Sequence, residues 1–243
     1  MSEFNYTIVA ICSKRPVEDY YCLDEWAKSI DGKNTFVIQA IDNAYGSLCD
    51  KPKFVYRAIQ RGLIKTKYII FCDCFDLVFA APPEEIILKF LQFDADLVIS
   101  AERNCFPDTY KAEYDKLPAE SSYKYLNSGM IVGYTDALLK TLEAMKVEEI
   151  PNDYWDGELG KNVHFNDQEY YQKSYLDQPV KIALDTQQVL SQTLHEAQLS
   201  DLDFSGQRIR NVETGSYPCT FHMNGNGKSG PCRMPILKHL NLI

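Results

Sequence analysis

Three short apolar runs rich in β-forming residues, Tyr6–Cys12, Thr35–Ile41 and Lys67–Cys72, alternate with two stretches of helical spacing. This alternation restricts the fold more than any other feature of the chain. A strand that is apolar on both faces needs cover on both, which a parallel sheet with helical crossovers supplies. Residues 17–30 carry Leu23, Trp26, Ala27 and Ile30 at helical intervals. Residues 53–62 place Phe54, Ala58 and Ile59 on one face, with Asp50 available as a cap. Residues 1–80 therefore predict a βαβαβ half-sheet of Rossmann type. In such sheets ligands bind beyond the carboxyl ends of the strands.

Further along, Pro82-Pro83-Glu84-Glu85 opens a helix with proline and acidic residues in its first turn, and Ile87, Phe90 and Leu91 form its inner face. Asp96–Ser100 reads as a fourth strand and Tyr125–Tyr134 as another, followed by a helix to about Met145. Between them, residues 103–124 are polar, aromatic and without periodicity, the pattern of a functional loop. Asn166 is placed to cap a helix over 167–176, with Glu169 as its capping-box partner. Lys181–Leu184 and Cys219–His222 are short strands, and Leu237–Ile243 a docking segment. With 243 residues and no repeats or linkers, the chain predicts one domain over 1–243. A division near residue 80 separates this half-sheet from residues 81–243.

A net charge of −9 disfavours broad nucleic-acid binding. No run of apolar residues is long enough to span a membrane, and Ile8–Ile11 is too short for a signal peptide. The chain as given therefore reads as cytoplasmic. Eight cysteines are too sparse for a disulfide framework, and Cys12, Cys72 and Cys74 sit in apolar runs as buried free thiols. Cys72 and Cys74 lack a matching pair, so a structural zinc site is not expected.

Four segments could carry chemistry. In Phe71-Cys72-Asp73-Cys74-Phe75-Asp76, two carboxylates stand where an apolar strand runs out. They either serve as oxygen ligands for Mg²⁺ or Mn²⁺ or simply make a turn, with Asp73 bonding backbone N–H groups. In Phe221–Lys228 a strand delivers His222 into a Gly/Asn loop ending in Lys228. That pattern suits phosphate oxygens, or an ordinary hairpin turn. Imidazole beside two carboxylates would suit Mn²⁺ better than Mg²⁺. Asn166-Asp167-Gln168 is explained by a helix start alone, and Leu126-Asn127-Ser128-Gly129 by a β-bulge. His164, His195 and His239 show no convincing partners. The absence of G-x-G-x-x-G, P-loop, G-x-S-x-G and H-E-x-x-H patterns removes the common dinucleotide, NTPase, serine-hydrolase and zinc-protease readings.

Taken together, FCDCFDLVFAAPPEEIILKF over 71–90, Ala101-Glu102, Cys105-Phe106-Pro107-Asp108, YLNSGMIVG over 125–133, Asp167-Gln168 with Tyr170, Tyr175-Leu176-Asp177, and His222–Lys228 resemble the glycosyltransferase domain of the procollagen lysyl hydroxylases. The motifs follow that family's order over most of residues 5–230. The resemblance implies a GT-A fold, a Rossmann-like mixed sheet flanked by helices, with residues 1–80 as the nucleotide-binding half and residues 81–243 as the metal, sugar and acceptor half. It also implies a UDP-sugar donor, UDP-glucose or UDP-galactose, and Mn²⁺. By motif match, Asp73, Asp76 and His222 would hold the metal. Ser13, Lys53, Phe75, Gly225 and Lys228 would bind the nucleotide, with Phe75 stacked on uracil. Asn127, Asp167 and Gln168 would face the donor sugar and the reacting centre. The implied activity is a retaining hexosyl transfer to an acceptor hydroxyl such as hydroxylysine, a glycan or a modified base. An inactive nucleotide-sugar-binding module and a metal-dependent phosphate-ester hydrolase are the alternatives. Two departures stand out: the family's acidic run before the Asp167 position is reduced to Asp167 alone, and Phe106 replaces a frequent Trp. The family's full-length hydroxylases also carry an iron-dependent dioxygenase domain, for which 243 residues leave no room.

Overall fold

The computed structural model describes residues 4–12, 22–30, 34–39 and 46–243. The expected opening is present: β1 (Tyr6–Cys12), α1 (Leu23–Ser29), β2 (Thr35–Gln39), α2 (Asp50–Gln60) and β3 (Tyr68–Cys72). Residues 17–21 of the expected first helix, and Ala40 and Ile41 of the second strand, lie outside the described residues. β1 pairs in parallel with both β2 and β3. Alternate residues of β3 face two different cores. Ile69 and Phe71 join a cluster with Val55 of α2, while Ile70 and Cys72 join one with Trp26 of α1. Burial of each such Ile or Phe contributes roughly 1.5–3 kcal/mol. Truncating Ile70, which is fully buried, would cost about 2–5 kcal/mol.

The chain continues through β4 (Leu77–Phe79), α3 (Pro83–Phe90), β5 (Leu97–Glu102), a short α4 (Lys111–Tyr114), β6 (Tyr125–Tyr134) and α5 (Thr135–Ala144). Next come β7 (Tyr154–Asp156), β8 (Lys161–Val163), α6 (Asp167–Asp177), β9 (Ile182–Asp185) and β10 (Ser191–Thr193). β11 (Leu202–Asp203), β12 (Arg210–Asn211), β13 (Thr220–His222) and α7 (Arg233–His239) complete it. The main sheet has the order β2-β1-β3-β6-β5-β9. β6 runs antiparallel to both neighbours, which makes the sheet mixed. A second sheet, β10-β13-β4, stands beyond the ends of β3 and β5 and has its own core of Val78, Phe221, Met223 and Ile236. No helix among the described residues is long and apolar enough to cross a membrane.

Several local expectations shift. Asp50 does not cap α2 from outside. The helix begins at Asp50, because Pro52 falls in a first turn that needs no amide hydrogen. The Asp50 carboxylate reaches back instead to the N–H groups of Gly46 (2.7 Å) and Ser47 (3.0 Å). Leu91 follows α3 as its C-cap and is exposed, while Ile86 takes the inner place. Asn166 does cap α6, accepting from Gln168 N at 3.0 Å, but Glu169 bonds Thr109 Oγ1 at 2.9 Å and makes no capping box. The strands β4, β10, β11 and β12 and the β7–β8 hairpin are too short to show a period of their own. All eight cysteines are free thiols. The docking segment is real in its burial, since Leu237 and Leu242 are covered.

Candidate active site

The second sheet is what brings His222 to the carboxylates. β13 pairs antiparallel with β4, which sets His222 opposite Leu77, the residue after Asp76. The connection from β3 to β4 is held at both ends: Asp73 N donates to Gly129 O (2.9 Å) and Met223 N to Asp76 O (2.6 Å). One ligand atom from each of Asp73, Asp76 and His222 then lies within 4.8 Å of the others. His222 Nε2 is 3.4 Å from Asp76 Oδ1 and 3.7 Å from Asp73 Oδ2. The other oxygen of each carboxylate meets a lysine: Lys228 Nζ is 2.7 Å from Asp76 Oδ2, and Lys51 Nζ is 3.0 Å from Asp73 Oδ1.

These residues fit a divalent ion. Adjacent ligands about 2.1 Å from a common octahedral ion lie about 3 Å apart, so the distances from His222 Nε2 to the two carboxylates need little contraction. His222 Nε2 is buried and makes no hydrogen bond, an orphaned atom that a metal would satisfy. Its tautomer is also set. His222 Nδ1 lies 3.0 Å from Asn127 Oδ1, and Asn127 Nδ2 donates to Glu102 Oε1 at 3.1 Å. With the amide thus oriented, Nδ1 must carry the proton and Nε2 the free lone pair. Burial pushes the Asp76 carboxyl up, but the charge and hydrogen bond of Lys228, joined by those of His222 whenever its ring is protonated, outweigh it and hold it well below the usual carboxylate range.

Leu126-Asn127-Ser128-Gly129 is both a bulge and part of the site. Between the pairs Ile99↔Ile131 and Ala101↔Leu126, Ser100 alone faces Asn127–Met130, so β6 arches there. Gly129 is required because a Cβ would collide with the His222 ring.

A cavity of about 500 Å³ opens on these groups, lined also by Glu102, Phe106, Asp167, His195 and Gly225. A larger hollow of about 650 Å³, bounded by Lys65, Lys67 and Lys140 beside α5, gathers none of them, so the chemistry belongs to the first. Asp167, at the start of α6, is buried, and its Oδ2 stands 3.2 Å from Lys51 Nζ but outside hydrogen-bonding geometry. Burial raises its pKa, against the opposing pull of the Lys51 charge.

Asn127 and Gln168 have most of their polar capacity engaged. Gln168 Nε2 donates to Glu102 Oε1 (2.9 Å) and to the Phe106 carbonyl, and its Oε1 accepts from Ser128 N (2.9 Å). Both amides therefore hold the site in shape, and Asp167 is the member of the three with an oxygen outside any hydrogen bond.

Lys53 turns away from the cavity, to Asn152 Oδ1 (2.7 Å) and Asp50 (3.6 Å). Two residues apart on a helix means nearly opposite directions, so α2 presents Lys51 to the site and Lys53 to its flank. Phe75 is half-buried against the α1 side of the sheet and is not part of the described cavity lining. Ser13 lies outside the described residues. The site draws on both expected halves of the chain, Asp73 and Asp76 from the first and His222 from the second.

The family model described as the PLOD GT domain matches residues 57–231. The chain belongs to this family. It is a glycosyltransferase domain. The uncharacterized protein R699 of Acanthamoeba polyphaga mimivirus is 36% identical over 165 residues, which cover 67% of this chain and 32% of that protein. The multifunctional procollagen lysine hydroxylase and glycosyltransferase of Rattus norvegicus is 30% identical over 168 residues, covering 66% and 20% respectively. The chain thus spans a fifth to a third of the length of these relatives. Among solved structures, mouse xyloside xylosyltransferase 1 in its apo form aligns with a TM-score of 0.52 at 15% identity, covering 91% of this chain and 98% of that one. A glycosyltransferase involved in glycosylation of the major capsid of PBCV-1 aligns at 0.54 and 12% identity, covering 98% and 100%. The fold is GT-A, as the resemblance implied.

Within this PLOD GT domain, sequence reasoning gave Glu102, Lys51 and Asn224 no role, and it set His195 aside. Glu102 is buried and accepts from three amides: Asn127 and Gln168 on Oε1, and Asn224 Nδ2 on Oε2 at 2.8 Å. Burial raises its pKa despite those bonds. The signal available was its position at the carboxyl end of an apolar strand, like that of Asp73. The three set-aside histidines do have partners. His164 Nδ1 meets Asp153 Oδ2 at 2.7 Å, His239 Nε2 meets Gln207 O at 3.1 Å, and His195 Nδ1 accepts from Asn226 N at 3.2 Å. His195 alone of these lines the cavity.

Proposed function

We propose that this domain transfers a hexose from UDP-glucose or UDP-galactose to an acceptor hydroxyl, with retention of configuration and with Mn²⁺ held by Asp73, Asp76 and His222. The observation that carries the reading is the convergence of those side chains around the unpartnered His222 Nε2, on the wall of a cavity that also holds Asp167. A bound divalent ion supplies charge neutralisation for the departing diphosphate. Lys228 brings a flexible ammonium to the same wall, beside Gly225, and both are assigned to the diphosphate. Lys51, rather than Lys53, is the α2 lysine assigned to the nucleotide. Phe75 remains the aromatic assigned to the uracil ring. Asp167 is assigned to the reacting centre, where a carboxylate can stabilise positive charge developing at the anomeric carbon or orient the acceptor hydroxyl. Asn127 and Gln168 keep His222 and the sugar-facing wall in place. The acceptor classes assigned to this domain are hydroxylysine, a glycan and a modified base.

The test is a panel of UDP-sugars incubated with the protein, Mn²⁺ and candidate acceptors, read by UDP release and product mass. UDP release with one hexose donor, lost in Asp76→Ala while the variant stays folded, is the expected result. Release of inorganic phosphate would instead mark a hydrolase, and nucleotide-sugar binding with no release an inactive binding module.

A further inference from the structure

His195 enters the cavity from a segment that contributes no other described lining residue. It follows β10, which pairs in parallel with β13. Beyond the paired residues, the two strands stay joined by side-chain bonds. Asn224 Oδ1 accepts from Leu194 N (2.9 Å) and His195 N (3.0 Å), and Asn226 Oδ1 accepts from Glu196 N (2.7 Å). Asn226 N in turn donates to His195 Nδ1. The imidazole therefore lies against the Gly225–Lys228 turn. Gly225 adopts φ +54°, and a Cβ there would run into the His195 ring. The glycine of this loop is thus needed for the approach of an imidazole as well as for its own left-handed backbone.

The accepting role fixes the ring chemistry. With the Nδ1 lone pair used by Asn226, the neutral ring carries its hydrogen on Nε2. The Glu196 carboxylate stands 4.0 Å from Nε2, beyond hydrogen-bond reach, and its other oxygen is bonded to Asn104 Nδ2 at 3.0 Å. About a quarter of the His195 side chain is exposed, on a wall shared with Gly225, Lys228 and Asp76.

We propose that His195 is a diphosphate-binding residue of this site: Nδ1 fastens the ring to the Gly225–Lys228 turn, and Nε2–H donates to a phosphate oxygen of the bound nucleoside diphosphate. This rests on the reading of the cavity as a nucleotide-sugar site. It assigns that site a neutral donor beside the charged Lys228, so that part of the diphosphate is recognised by direction as well as by charge.

Two substitutions separate the nitrogens. His195→Asn keeps an acceptor near the Nδ1 position and removes the distal donor, whereas His195→Gln keeps a donor near the Nε2 position. Calorimetric titration with Mn²⁺ present compares UDP with UMP, which lacks the outer phosphate. His195→Asn is expected to weaken UDP roughly tenfold, the scale of one hydrogen bond to a charged group, and to leave UMP within twofold of wild type. His195→Gln is expected to recover most of the UDP affinity. Wild-type UDP affinity in His195→Asn, an equal loss of UDP and UMP, or an equal UDP loss in both variants would overturn the assignment. Should His195→Asn not fold, His195→Ala takes its place: a loss of UDP with UMP retained supports the donor, and wild-type affinity for both nucleotides overturns it. A wild-type protein that binds neither nucleotide removes the nucleotide reading itself, and this assignment with it.

Discussion

Replacing Glu102 with Gln changes one atom and should disturb the proposed metal site through two intervening residues. The Glu102 carboxylate receives N–H groups from Asn127 (3.1 Å), Gln168 (2.9 Å) and Asn224 (2.8 Å). Three donors aimed at one group require it to be ionised, even though burial raises its pKa. In Glu102→Gln one oxygen becomes an NH₂ that faces another NH₂. If it faces Asn127 and Gln168, two bonds are lost; if it faces Asn224, one is lost. Each bond to a buried charged group is worth about 1.5–3 kcal/mol, so the folded state should lose about 1.5–3 kcal/mol with one bond broken and about 3–6 kcal/mol with two. Where the new NH₂ faces Asn127, that side chain recovers its bond only by turning its amide away from Gly129 N, and it then presents Nδ2 to His222. Nδ1 of His222 becomes an acceptor, Nε2 takes the proton, and the nitrogen facing Asp73 and Asp76 can no longer ligate. Loss of such an outer partner typically costs 10- to 100-fold in metal affinity. Urea unfolding and Mn²⁺ titration calorimetry measure the two effects on the same preparation. Wild-type Mn²⁺ affinity and stability in Glu102→Gln would refute both the ionised hub and the relay to His222.

Gly129→Ala places a Cβ in the space of the His222 ring, so Mn²⁺ binding should fall beyond detection while stability drops by about 1–3 kcal/mol; a variant that still binds Mn²⁺ like wild type would show that the ring can move aside. Lys51→Met leaves buried Asp167 without its neighbouring ammonium and should cost roughly 3–5 kcal/mol in urea unfolding, with part of the loss restored by adding Asp167→Asn. A second change that restores nothing would separate the two residues. Burial raises the pKa of Asp185 to about 6, against hydrogen bonds from Ser191, Val189 and Leu190. Because the folded state holds that proton more tightly than the unfolded chain, this contribution is full below about pH 4 and is lost as pH rises through 6. The loss is about 3 kcal/mol. The difference in unfolding free energy between wild type and Asp185→Asn should shift by that order from pH 4 to pH 7, and a flat difference would place the Asp185 pKa near its ordinary value.

The βαβαβ opening was legible because a both-faces-buried strand and an amphipathic helix each leave a periodic trace in the chain. For the same reason the carboxyl end of β3 pointed to Asp73 and Asp76 before any geometry was known, and the order of the motifs pointed to a glycosyltransferase of the PLOD family. The three-residue strands β4 and β10 are too short for a hydrophobic period to distinguish them from loop; Cys219–His222 reads as a strand, but only its pairing with those two sets His222 opposite Leu77 and carries His195 to the cavity. Helix phase likewise chose Lys51 over Lys53, a difference that spacing from a motif does not resolve. Glu102 reads in sequence as the end of a strand. It is a hub because Asn127, Gln168 and Asn224, as far as 122 residues away, turn their amides toward it. Local order is written in nearest-neighbour chemistry and so belongs to the sequence. Which side chains share a proton, a cation or a cavity depends on long-range strand pairing, and that is settled only when the tertiary structure forms.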